Sequence, residues 1–303
     1  MSSRASCTRA SRSMNNVRTA MNSACCLLLL AITCGALAEE PGQKIGKPLN
    51  LESLDLEKVY ENDFSGADAV VFESVFVKDG KRQSLPPGAA EWIAEGAGGA
   101  EVCDGRLQVA PVAFTACGET VSETAAERSH MVVWNRHRFP ADMMFEFTIN
   151  HHGSDNGLTL VIFAAQGLEG QDVFDLQLPP RNGVYRNYHG GELQNYTVSY
   201  WSRNKKPSLV KRGEQYTNRM RKNPGMHKLS NEYSRTDKCS DCEYRVRILK
   251  TGGLIVVEIN GEVVNQVVDP DPLGGGFIGL RNMMGVDRVS YDDFRVWSVR
   301  SGD

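Results

Sequence analysis

The stretch Tyr244–Val268 reads YRVRILKTGGLIVVEINGEVVNQVV. It divides into strands at Tyr244–Leu249, Leu254–Asn260 and Glu262–Val268, and the Asn260-Gly261 pair is the strongest short hairpin signal in the chain. On its C-terminal side, Phe277–Arg281 and Val289–Val299 close the domain as two more strands. On its N-terminal side, Met143–Asn150 sets Phe145, Phe147 and Ile149 on one face and Met144, Glu146 and Thr148 on the other, a period of two. Leu158–Ala164 is a nearly continuous apolar run, as in a strand covered on both faces. Val173–Leu178 alternates and is stopped by Pro179-Pro180, while Asn195–Arg203 sets Tyr196, Val198 and Tyr200 against Thr197, Ser199, Trp201 and Arg203. Met131–Asn135 is a further strand, and Glu101–Val109 turns at Asp104-Gly105. Helical periodicity is confined to Leu51–Val59 and Gln215–Arg221. Many strands, few helices and one hydrophobic core predict an all-β fold, a β-sandwich of two sheets.

The first 38 residues read as a signal peptide. Arg4, Arg9, Arg12 and Arg18 make a basic start, Ala24–Ile32 a short apolar run, and Ala36-Leu37-Ala38 a small-x-small cleavage site. Thr33 and Gly35 interrupt the apolar run too early for a membrane span. Cys34 would carry a lipid in a lipoprotein, but Thr33 is a poor residue before it. The expectation is export to the periplasm or beyond the cell. A polar lead-in segment follows at 39–56, and 57–303 reads as a single domain.

Removing the leader's arginines leaves 30 basic against 37 acidic residues. A nucleic-acid binder is normally basic overall or along one face, so that class is disfavoured. Cys103, Cys117, Cys239 and Cys242 remain, an even number suited to disulfides in an oxidising compartment. The favoured pairing is Cys103–Cys117 and Cys239–Cys242. A zinc site would need more ligands than one CxxC supplies.

Three strings carry a family resemblance: Phe64-Ser65-Gly66, Trp92-Ile93-Ala94-Glu95-Gly96 and Asp104-Gly105-Arg106-Leu107. The ending adds Gly276–Arg281 and Tyr291–Trp297. Together they resemble a concanavalin-A-like lectin/glucanase jelly roll of two antiparallel sheets. Within that group, Asn187–Gly191, Tyr196–Arg203 and Arg221–His227 resemble the YesU-like bacterial family over most of roughly 60–300. The resemblance implies a link to pectin and other uronate-rich polysaccharides. It transfers no catalytic residues.

The chemistry concentrates in Val184–Tyr233. Tyr185, Tyr188, His189, Tyr196, Tyr200, Trp201, Tyr216 and His227 lie there among Arg203, Lys205, Lys206, Lys211, Arg212, Arg219, Arg221, Lys222 and Lys228, against Glu192, Glu214 and Glu232. Flat rings and guanidinium forks together suit a sugar bearing carboxylate or sulfate. β-Elimination on a uronate needs a base, a neutralised carboxylate and a protonated leaving oxygen. His189 and His227, with Tyr188 as rival, are the expected proton-transfer groups. Arg203 and Arg221, helped by Asn223, are expected to neutralise the carboxylate, and Trp201 and Trp134 to stack on sugar rings.

A carbohydrate-binding protein using the same groove is the second reading. A glycoside hydrolase is the third, drawing carboxylates from Asp172, Asp175 or Glu192. The Glu-x-Asp-x-x-Glu string of jelly-roll glucanases is missing, Glu61-Asn62-Asp63 being the nearest approach. No catalytic metal is expected: His151 and His152 are adjacent, so on a strand they point opposite ways. A structural calcium ion would find oxygen ligands at Asp269, Asp271, Asp292 and Asp293.

Overall fold

A computed structural model describes residues 53–66, 70–72, 77–85, 88, 90–96, 98–110, 130–152, 158–203, 216–234, 242–283 and 288–300. Among them, one eight-stranded sheet runs β16 (Glu262–Val268), β15 (Leu254–Ile259), β14 (Glu243–Thr251), β9 (Met143–His152), β18 (Arg288–Val299), β7 (Arg106–Ala110) and β6 (Gly99–Cys103). Its eighth strand, β1 (Leu56–Asn62), pairs with the far half of β18. The second eight-stranded sheet runs β13 (His227–Ser234), β12 (Tyr216–Asn223), β11 (Leu193–Arg203), β10 (Thr159–Gly167), β17 (Phe277–Asn282), β8 (Met131–Asn135), β5 (Trp92–Gly96) and β2 (Val70–Phe72). Its pairs are antiparallel except β2 with β5. A small hairpin, β3 (Val77–Lys78) and β4 (Lys81–Arg82), and one helical turn, α1 (Arg186–His189), complete the elements described.

The two sheets bury one core. Phe145, Phe147 and Ile149 from β9 meet Phe163, Tyr196, Val198 and Tyr200 from β10 and β11, with Phe145 and Phe163 rings 5.8 Å apart and Phe163 and Tyr196 5.3 Å apart. Each such side chain, fully buried, contributes roughly 1.5–3 kcal/mol. Period-two alternation therefore decides which way every strand faces. Asn260 and Gly261 both take positive φ, 51° and 82°, as the tight turn between β15 and β16 demands.

A second, smaller core lies on the outer face of the second sheet. Val132, Trp134, Ile162, Ala165 and Phe277 point outward there, and the segment 168–192 folds over them with Val173, Leu178 and Tyr188. This is why β10 is buried throughout.

Several expectations need correcting. Leu56–Val59 and Tyr216–Arg221 are strands rather than helices, because pairing with β18 and β11 satisfies their backbones. Val173–Leu178 forms turns instead of a strand. The carboxylates of Asp172 and Asp175 accept the Phe174 and Gln177 N–H groups at 2.7 and 2.8 Å, competing with a sheet ladder. Cys103 is a free thiol beside the β6–β7 turn, with its titration pushed up chiefly by the neighbouring Asp104 charge, so the expected bridge to Cys117 is not formed. Cys242 packs on the core, half-buried; Cys117, Cys239 and the leader lie outside the described residues.

Candidate functional site

The cross-strand registers lay out the outer face of the second sheet in rows. One row runs Glu95, Val132, Arg281, Leu160, Ser199, Arg219 and Asn231. The next runs Ile93, Trp134, Gly279, Ile162, Thr197 and Arg221. Segment 168–192 covers the half built on β5, β8 and β17. The half built on β11, β12 and β13 carries the basic side chains.

The covering segment is anchored by charge. Glu95, 1% exposed, accepts two hydrogen bonds from Arg181, at 3.1 and 2.5 Å, and one from the Tyr188 hydroxyl at 2.7 Å. Arg82 adds a second guanidinium at 3.7 Å. Burial works to raise the Glu95 carboxyl, but the Arg181 charge and these hydrogen bonds outweigh it and hold the group below its ordinary value. Arg82 and Arg181 also both donate to the Val173 carbonyl, tying the segment to the sheet.

The anchor ends in α1, which with the preceding residue presents Tyr185 and His189 to the open half. Their rings lie 4.6 Å apart, and the Tyr185 hydroxyl is 3.2 Å from Thr197 Oγ1. Gly183 sits at the start of this turn with φ 82°, where a Cβ would come within 2.0 Å of the His130 carbonyl, so glycine is required. His189 is half-buried, and its titration is lowered first by burial, then by the charges of Arg221, Arg281 and Arg186. It is thus a neutral imidazole at pH 7, able to accept a proton. Arg221 donates to the Met226 carbonyl at 3.1 Å and Arg219 to Asn231 Oδ1 at 2.8 Å, neither to a carboxylate.

Structure and sequence part at other positions. Tyr188 is fully buried, and burial raises its hydroxyl well above the ordinary range, so it serves as anchor rather than acid or base. Trp134 is also fully buried, in the small core 6.1 Å from Tyr188, and cannot stack on a sugar. Asn223 gives its amide N–H groups to Asn195 Oδ1 and Thr197 Oγ1, at 2.9 and 3.3 Å, and so has no donor left for a carboxylate. His227 is exposed and pairs across the strands with Lys222, while Arg221 pairs with Lys228. Directly paired residues share a face, so His227 lies on the side away from Arg221. Trp201 and Arg203 fall at the end of β11, with their side chains outside the described residues.

The hydrolase carboxylates do not converge here either: Asp172 and Asp175 cap turns, and Glu192 is exposed ahead of β11. At the expected calcium ligands, the Lys222 ammonium bridges Asp269 and Asp271, both at 3.2 Å. Arg106 meets Asp292 at 3.8 Å and Arg295 meets Asp293 at 2.5 Å. Each of these carboxylates lies within 3.8 Å of a cationic side chain.

Two residues escaped the sequence reading. Glu95 and Arg281 each stand as a charged residue in an otherwise apolar strand, WIAEG and FIGLRN, and that isolation is the signal of a buried ionic role.

The chain is 29% identical over 177 residues to the uncharacterized protein YesU of Bacillus subtilis (strain 168), an overlap of 56% of this chain and 78% of that protein. A crystal structure of a protein of unknown function with a galectin-like fold from Bacillus subtilis is similar at TM-score 0.59 and 25% identity, covering 81% of this chain and 100% of that one. Porphyranase B from Zobellia galactanivorans is similar at TM-score 0.49 and 10% identity over 87% of this chain and 100% of its own, too remotely to bear on function. The model of the family described as a domain of unknown function (DUF1961) matches residues 83–296, more than half of the chain, which therefore belongs to that family.

Proposed function

We propose that the protein is exported and acts on an acidic, uronate-containing saccharide by β-elimination, at the open half of the second sheet. The observation that carries this reading is His189, held neutral beside Tyr185 and within the field of Arg221. In the reaction, His189 would take the C5 proton while Arg221 balances the carboxylate charge that grows as the C5–H bond breaks. The C5–H electrons form the C4–C5 double bond, the C4–O bond breaks, and the Tyr185 hydroxyl supplies the leaving oxygen with a proton. No step calls on Tyr188, Trp134 or Asn223.

The test is to incubate the mature protein with a panel of polyuronates and follow ultraviolet absorbance of unsaturated uronate, with reducing ends assayed in parallel. Rising absorbance supports the lyase. Reducing ends without absorbance would mean hydrolysis and sink it.

A second reading is binding without turnover. It is favoured by Arg219, which is exposed on this face and donates to an amide oxygen, a guanidinium placed to grip a carboxylate without entering the chemistry. Silence in both assays, with measurable affinity for a polyuronate, would select that reading.

A further inference from the structure

Arg281 is fully buried, at 0% exposure, under the segment that covers the second sheet. A guanidinium carries five N–H groups. The Nη2 group donates to the Gly183 carbonyl and to His130 Nδ1, both at 3.2 Å. Among the described residues, Nε and Nη1 have no partner, which leaves three N–H groups without an acceptor. Over the guanidinium lies the Tyr185 ring, 4.9 Å from Cζ.

Arg181, on the same face, shows what a buried arginine ordinarily has, a carboxylate gripped by two bonds. Arg281 has a neutral imidazole instead. His130 must accept from Nη2, and burial together with the Arg281 charge lowers it to about 4, so it carries no charge at neutral pH. Burial likewise lowers Arg281, to about 10, which still leaves it a cation. A buried cation with open donors and no counter-charge is costly, and an arriving carboxylate would remove both deficits at once.

The roof over it is light. Tyr185 is half-buried and is tied at its hydroxyl by the 3.2 Å contact with Thr197. The turn that carries it is held from the opposite side by Tyr188.

We infer that Arg281 is a recognition point for a sugar carboxylate, reached when the Tyr185 ring swings aside. This rests on the acidic-saccharide reading above and adds a dedicated anchor to it. His130 and Gly183 hold the guanidinium in place, and Tyr185 exchanges its contact with the cation for one with the incoming sugar ring.

Nitrogen-15 spectra of arginine Nε–H groups test this on the intact mature protein, titrated with trigalacturonate and separately with its methyl ester. The Arg281 signal is identified by its loss in Arg281→Lys, or, where that variant does not fold, by the ring-current change in Tyr185→Ala. The Arg281 Nε–H signal should move downfield with trigalacturonate and stay in place with the ester. Arg281→Lys should bind trigalacturonate about 10- to 100-fold more weakly. If the Arg221 signal moves while that of Arg281 does not, the site stands and this inference is overturned. Equal movement with the ester overturns recognition of the charge, and no movement of either signal removes the site as well.

Discussion

The outer faces of the two sheets use arginine in opposite ways. On the first sheet every arginine of the central cluster meets a carboxylate. Arg247 reaches Glu146 and Glu258 at 3.1 and 3.3 Å, and Arg295 reaches Glu61 at 2.8 Å and Asp293 at 2.5 Å. On the second sheet Arg219 and Arg221, in the open half, and Arg281, under the covering segment, donate to an amide oxygen, backbone carbonyls and an imidazole. The residue type is the same, but the first cluster is neutralised internally, while these three arginines bond to no carboxylate among the described residues, in contrast to the Arg181–Glu95 pair beside them. Composition therefore says little about where a charged ligand binds; the missing counter-charge says more.

The sharpest way to break this contrast is to remove the base. His189→Ala should cut turnover of a susceptible polyuronate about 10²- to 10⁴-fold. Arg247→Gln, on the neutralised face, should stay within about twofold; equal losses in the two variants would erase the distinction. Next in size is the anchor. Glu95→Ala strands two buried guanidinium groups and should lower the unfolding free energy by about 3–5 kcal/mol. Glu57→Ala breaks a pair that is 56% exposed on both sides and should cost less than about 1 kcal/mol. Urea titration of both variants reads this directly, and a Glu95 loss as small as that of Glu57 would show that the covering segment is not held by charge.

Arg221→Gln should weaken trigalacturonate binding by about 1.5–3 kcal/mol in calorimetry while leaving the melting temperature unchanged. Arg247→Gln should do the reverse; a matched pattern in the two would refute the assignment of faces. The smallest effect is the pH dependence. His130 titrates near 4 when folded, against about 6.5 for a free histidine, so the unfolded chain binds more protons between those values. Stability should then fall as pH drops from 6.5 toward 4, by up to about 2 kcal/mol after allowance for solvent screening. His130→Gln should flatten that slope, and an unchanged slope would place its origin elsewhere.

What the sequence disclosed were local patterns. Phe145, Phe147 and Ile149 marked the core by alternation alone, and Asn260-Gly261 marked its turn because few residue pairs accept two positive φ angles. His189 and Arg221 were found because they sit in one basic, aromatic stretch, and the fold does bring them to one side of one sheet. Tyr188 and Trp134 were misread because a strand pattern shows which residues alternate, not that a second core covers the outer face. Arg281 and Glu95 were missed for a different reason. Glu95 meets Arg181 86 positions along the chain, and Arg281 meets His130 across 151, separations that no local pattern encodes.

The uncompensated arginines have a consequence for how the molecule would travel. The full chain carries a formal net charge of −3, and 30 basic against 37 acidic residues remain without the leader, yet among the described residues Arg219 and Arg221 on this one face donate to neutral oxygens. Cations gathered on one face of an anionic molecule give it a dipole as well as a sign. Near a polyanionic gel the net charge slows its approach, while the dipole turns the arginine-bearing face toward the polymer. At low salt the protein should therefore be retarded on a cation-exchange resin despite its sign, and encounters with a charged polysaccharide would be pre-oriented rather than random.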